Sequence, residues 1–183
     1  MTEATIISQT TAWIKSVVVG CNFCPFAAKA LFAKSIRYKV LHDANKENAI
    51  ETLILEMEFL NSATDIETTL IIMPYRFDDF SKYLDLVRSA ETTVTRQGYS
   101  GVYQIASFHP EYFFADTDSN DPANYTNRSP YSMLHILREE SISHALLHYT
   151  DPFGIPEKNI AFAQQKGLRY MELLRATCMK EET

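Results

Sequence analysis

Residues 68–74 read TTLIIMP, with four consecutive apolar side chains from Leu70 to Met73. Successive side chains of a strand point to opposite faces, so a continuous apolar run predicts a strand covered on both sides. That requirement decides how the flanking segments are read. NKENAIETLILEMEFLN (45–61) places Ile50, Leu53, Ile54, Met57 and Leu60 on one helical stripe. DDFSKYLDLVRSAETTVTRQG (78–98) predicts a second helix, with Asp78 as its cap and Gly98 as its stop. IRYKVL (36–41) and GVYQIASFHP (101–110) read as strands on either side of this pair of helices.

Upstream, Ile6, Thr10, Trp13, Ile14, Val17 and Val18 recur at helical spacing, which predicts a helix over 4–19. The β-branched SVVVG within it is the alternative, a short strand. Pro25 is placed to open a short helix, PFAAKALFAK, because a first-turn residue needs no N–H. Residues 111–129 carry Asp116, Asp118, Asn120, Asp121 and Pro122, and read as the longest loop. Ser129 as cap and Pro130 at the first helical position predict a helix running to about His148. A final helix is expected over 156–179. The order predicts an α+β or α/β fold in a single domain over 1–183. Its sheet would be small, mainly parallel and three- to four-stranded, with crossover helices and a C-terminal helical segment.

Composition narrows the function classes. The 183 residues carry a net charge of -6 and 46% hydrophobic residues. An acidic chain lacks the basic face that nucleic acid or an anionic membrane surface requires, so neither is an expected partner. No apolar run approaches the roughly 20 residues of a membrane span, and the start MTEATIISQTTAWIK does not read as a leader peptide. Cytoplasmic placement is the expectation, and three cysteines suit a reducing compartment.

Four stretches carry candidate chemistry. In CNFCPFA, Cys21 and Cys24 stand two residues apart ahead of a predicted helix, where unbonded N–H groups favour a thiolate. The pair reads as a redox dithiol, as a nucleophile at Cys24, or as two small buried hydrophobes. A zinc site lacks a second ligand pair. His109, at the carboxyl end of the third strand, is a candidate base or acid, or a histidine pinning a loop. DTDSND (116–121) opens like a calcium loop but has Asp121 and Asn127 where glycine and glutamate belong, so no metal is predicted. NYTNRSPYSMLHILREE (124–140) supplies Arg128 ahead of a predicted helix start, a plausible anion clamp, with Asn124, Asn127 and Ser129 around it. His135, Arg138 and Glu139 would share one helical flank. The five glycines are scattered, so no phosphate-cradling loop and no cofactor is implied.

CPFA, SFHPEYFFA and ANYTNRSPYSMLHILRE, with ETTLIIMP and IPEKNIA, resemble the bacterial domain-of-unknown-function family 1415 over nearly the whole chain. The resemblance brings no reaction or cofactor with it. It does rank residues. The family's first block reads Leu-Cys-Pro-Phe-Ala, so the position of Cys21 is not typically cysteine, and Cys24 is the thiol of interest. The matching blocks contain His109, Asn124, Asn127, Arg128, Ser129, His135 and Arg138.

The residues and the resemblance together support three readings. The first is a Cys/His-dependent transferase or hydrolase, or a binder, of a small anionic metabolite. Cys24 and His109 would be its catalytic groups; Asn124, Asn127, Arg128, Ser129, His135 and Arg138 would bind the ligand. The second is a ligand-binding or homodimeric assembly module lined by Tyr112, Phe113, Phe114, Tyr125 and Tyr131. The third is a CxxC thiol redox protein.

Overall fold

A computed structural model describes residues 1–115, 117–147 and 151–180. The chain opens with α1 (Glu3–Trp13), capped by the Thr2 side chain, and continues through a π-helical turn, Ile14–Val19. The predicted helix over 4–19 is therefore present, and the valine run is not a strand. There follow α2 (Ala27–Phe32), β1 (Ile36–Val40), α3 (Lys46–Ser62), β2 (Thr68–Met73), α4 (Phe80–Arg96) and β3 (Tyr103–Phe108). A 3-10 turn, Pro122–Thr126, leads to β4 (Ser132–Arg138), and then come α5 (Glu139–Leu146), α6 (Ile155–Lys166) and α7 (Leu168–Thr177).

The fold is α+β, with a mixed four-stranded sheet in the order β1-β2-β4-β3. β1 pairs with β2 in parallel, while β4 pairs antiparallel with both β2 and β3. Hence β1, β2 and β3 all run the same way, as two crossover units require. The expectation of a mainly parallel sheet fails at β4 alone, which inserts between β2 and β3 and turns two of the three pairings antiparallel.

That insertion overturns the helix predicted from Ser129-Pro130. The cap signal is local, but the following SMLHILR is apolar on alternate positions of both faces. Between two strands with open edges it gains a ladder on each side, Thr69 to Met73 opposite Ile136 to Ser132 and Tyr103 to Phe108 opposite Arg138 to Met133. Tertiary pairing outweighs a propensity difference of about 1 kcal/mol or less per residue. The helical flank of His135, Arg138 and Glu139 therefore does not exist. His135 and Arg138 are an odd number of strand positions apart and face opposite sides of the sheet.

β2 is buried at all six positions, as its apolar run demands. On one face Ile71 and Met73 meet Leu53, Met57 and Leu86 of α3 and α4. On the other, Leu70 and Ile72 meet Trp13, Val17 and Met171 of α1, the π turn and α7. Asp79, not Asp78, caps α4, accepting from the Ser81 and Lys82 N–H groups. The expected last helix is two, broken at Gly167, whose φ of 82° suits glycine. Among the described residues no helix is long and apolar enough to cross a membrane.

Candidate functional site

The segment from His109 to Tyr131 leads from the carboxyl end of β3 to the start of β4, which pairs beside the carboxyl end of β2, at the edge where ligands of open sheets collect. It is held by side chains bonded to main chain. Buried Asn124 uses its whole amide: Oδ1 accepts from Phe114 N–H and the Thr117 hydroxyl, and Nδ2 donates to the Asp118 and Ser119 carbonyls. Asn127 Nδ2 donates to Ser107 O, and its Oδ1 accepts from the Thr126 hydroxyl. The buried Ser129 hydroxyl donates to Tyr131 O at 2.6 Å instead of capping a helix. Asp121 caps the 3-10 turn through Ala123 N–H, and Asp118 accepts from Asn120 N–H. Among the described residues no group of three or more His, Cys, Asp or Glu could hold a metal ion.

His109 is fully buried. Its Nδ1 accepts from Glu111 N–H at 3.0 Å, which makes Nε2 the donor to Phe77 O at 2.7 Å. Phe77 sits at φ 61°, a strained setting for a bulky residue, and its carbonyl also accepts from the Ser132 hydroxyl. The imidazole packs on Phe80 and Tyr83. Burial lowers its pKa. Both nitrogens are thus occupied, Nε2 in tying the loop to the β2–α4 connection and Nδ1 in closing a turn within the loop itself.

Cys24 lies half-buried on the α1 side, where its N–H reaches Val18 O of the π turn. Burial raises its thiol above the ordinary range, an effect that outweighs the lowering by the Phe26 and Ala27 N–H groups. Cys21 is buried and likewise raised by burial. No hydrogen bond or charge interaction among the described residues links Cys24 to His109 or Arg128. His109 and Arg128 are neighbours through the backbone, since His109 N–H donates to Asn127 O and Ser129 N–H to His109 O. Their side chains take separate sets of partners, the imidazole on Phe77, Phe80 and Tyr83 and the guanidinium on Tyr112, Ser119 and Tyr125.

His135 faces the α1 side. The Thr68 hydroxyl donates to Ile136 O and therefore accepts from His135 Nε2, at 2.6 Å. Burial pushes this imidazole down to about 4. Arg138 faces the other side, where Nη2 donates to the Leu60, Ala63 and Ile66 carbonyls at and beyond the end of α3. It acts as a helix cap, and the sequence signal that grouped it with His135 is void. The aromatic residues proposed to line a pocket are mostly spent in packing: Tyr125 and Tyr131 are buried, and Tyr112 meets Phe80 and Phe114 edge to face. Phe113, which also meets Phe80, is 44% exposed.

Arg128 is different. The residue is 8% exposed, and its guanidinium donates from Nε to Tyr112 O and from Nη2 to Ser119 O and lies 4.9 Å from the Tyr125 ring centre. A second guanidinium reaches the same ring: Arg175 of α7, at 5.6 Å, which also donates to Pro110 O. Among the described residues no carboxylate lies within 4.0 Å of either. The local charge is met by carbonyl dipoles and one π face. The sequence offered no sign of Arg175, because α7 is 47 residues away from Arg128 in an otherwise unremarked amphipathic segment. An open groove of about 590 Å³ lies elsewhere, between α3 and α4. Its charges are interleaved, with Arg88 paired to Asp85, and its Ser89, Thr92 and Thr93 hydroxyls donate to their own helix. It has the character of a solvated surface.

A family model described as Protein of unknown function (DUF1415) matches residues 5–172, and the chain belongs to that family. No curated protein and no solved structure matches it.

Proposed function

We propose that this protein binds a small anionic metabolite at the corner formed by Arg128, Arg175 and Tyr125. The observation that carries the reading is the buried Arg128 guanidinium, supported by carbonyls and a ring, with a second guanidinium on that ring and no carboxylate among the described residues. A desolvated cation costs several kcal/mol unless its charge is met. A cation–π contact returns about 0.5–2 kcal/mol, and two such contacts leave a positive site for a phosphate or carboxylate to complete. The guanidinium fork suits planar, two-point recognition of such groups.

In this reading Asn124, Asn127, Ser129 and His109 shape the loop that presents Arg128, and Arg138 and His135 fix β4 behind it. Cys24 has no part in the ligand contact. Its raised thiol speaks for binding over a thiolate mechanism.

Thermal unfolding tests the reading. Inorganic phosphate, pyrophosphate and succinate are titrated against chloride at matched ionic strength. At least one polyvalent anion should raise the Tm saturably, as mass action on the folded state requires. Arg175→Gln should abolish that rise, measured against the variant's own anion-free Tm, which falls modestly because the Pro110 hydrogen bond and the contact on Tyr125 are weakened. A Tm that responds to all salts alike, or equally in the variant, contradicts the proposal.

A further inference from the structure

On the α1 side of the sheet, a cavity of about 170 Å³ opens between Thr11 of α1, Leu31 of α2, and Lys34, Ile36 and Tyr38 at β1. It shares no residue with the arginine corner. Two of its walls, Leu31 and Ile36, are apolar, and three groups bring polarity. The Thr11 hydroxyl is committed to Ile7 O at 2.8 Å, so it meets the phenol of Tyr38 as an acceptor. Burial raises the Tyr38 pKa, so the hydroxyl keeps its proton, which points to Thr11 while the cavity is empty.

Lys34 supplies the charge, in an unusual place. α2 ends in a Schellman turn, with Lys34 N–H donating to Leu31 O and Ser35 N–H to Ala30 O. Lys34 fills the left-handed position at φ 54°, where glycine is the unstrained choice. The helix end does not need this cation, because Lys29 already stands in the last turn. The strained position therefore holds a lysine that helps line the cavity.

We propose that this cavity binds a short-chain monocarboxylate. The carboxylate would meet the Lys34 ammonium and take over the Tyr38 hydroxyl proton from Thr11 by rotation of the O–H, with the hydrocarbon tail against Leu31 and Ile36. The volume suits a chain of a few carbons, and the single cation suits a single negative charge.

Butyrate and its neutral analogue butyramide distinguish this chemistry in a ¹H–¹⁵N NMR titration of the full chain. Butyrate should shift the amides of Leu31, Lys34 and Tyr38 saturably, and butyramide should not. Lys34→Gly, which relieves the backbone strain, should raise the Tm and weaken butyrate about tenfold, the effect of one charge-assisted contact. Leu31→Trp, filling the cavity, should remove the saturable shifts. Arg175→Gln should leave butyrate binding unchanged, which separates this site from the arginine corner. Equal responses to butyrate and butyramide, or undiminished butyrate binding in Lys34→Gly, overturn the proposal.

Discussion

Two arginines of this protein bond mainly to carbonyls, and their settings differ in one respect. Arg138 meets three carbonyls at the end of α3, where unpaired C=O groups concentrate partial negative charge. Its charge is answered by the helix end itself. Arg128 meets two carbonyls of an irregular loop, Tyr112 and Ser119, which bring no such accumulated dipole, and shares its ring with Arg175. One cation completes the fold. The other, in the proposed reading, leaves positive potential for an anion to complete. The lesson is that a buried arginine points to a ligand only after its carbonyl partners have been placed on or off a helix terminus.

The comparison is easiest to break at Arg138. Arg138→Met removes the donor that these carbonyls share, leaving Ala63 O only the Ile66 N–H, and should cost about 3 kcal/mol, read by urea denaturation, with no recovery on adding phosphate. A loss below 1 kcal/mol would mean that water caps α3 equally well.

Arg128→Met should cost about 2 kcal/mol, from two charge-assisted hydrogen bonds and a cation–π contact. It should also lose the stabilisation by anions expected of the wild type. Arg128→Lys should keep the charge yet recover only part of the response, because an ammonium cannot reproduce the fork. Full recovery by lysine would make the site a point charge rather than a two-point clamp.

His135 sharpens the contrast from the other face of β4. Its folded pKa, about 4, lies below the ordinary value of 6.5. The unfolded chain therefore binds more protons between these values, so stability is complete above about pH 6.5 and is lost as pH falls toward 4. Allowing for its partial exposure, the loss should be about 2 kcal/mol. His135→Gln should flatten most of this dependence in equilibrium unfolding from pH 7 to pH 4. The remainder belongs to His109, whose pKa is lowered in the same direction. An unchanged slope in His135→Gln would refute the assignment.

Much of the architecture follows from patterns that act locally. The apolar run of β2 and the stripes of α3 and α4 predict a strand covered on both faces, and it is so covered. Gly98 stops α4 as its chemistry suggests, with Tyr99 N–H closing the turn on Val94 O. β4 was illegible because its identity depends on two distant strands with open edges, whereas Ser129-Pro130 is a strong signal in isolation. The candidate site divides along the same line. The polar crowding around 109–129 correctly marks an unusual region, but most of its side chains satisfy backbone groups of a long loop, a requirement that sequence reading underweighted. The ion pair of Arg37 with buried Glu56, and the meeting of Arg175 with Arg128, arise from contacts between distant elements and leave no spacing to read.

The Nε–Hε resonances of Arg128 and Arg175 test the central claim most directly. Followed by ¹H–¹⁵N NMR during a pyrophosphate titration at constant ionic strength, both should shift together along one saturable curve, while the Arg138 resonance stays fixed. Movement of Arg138 to the same extent, or no saturable movement of Arg128 and Arg175, would contradict the account.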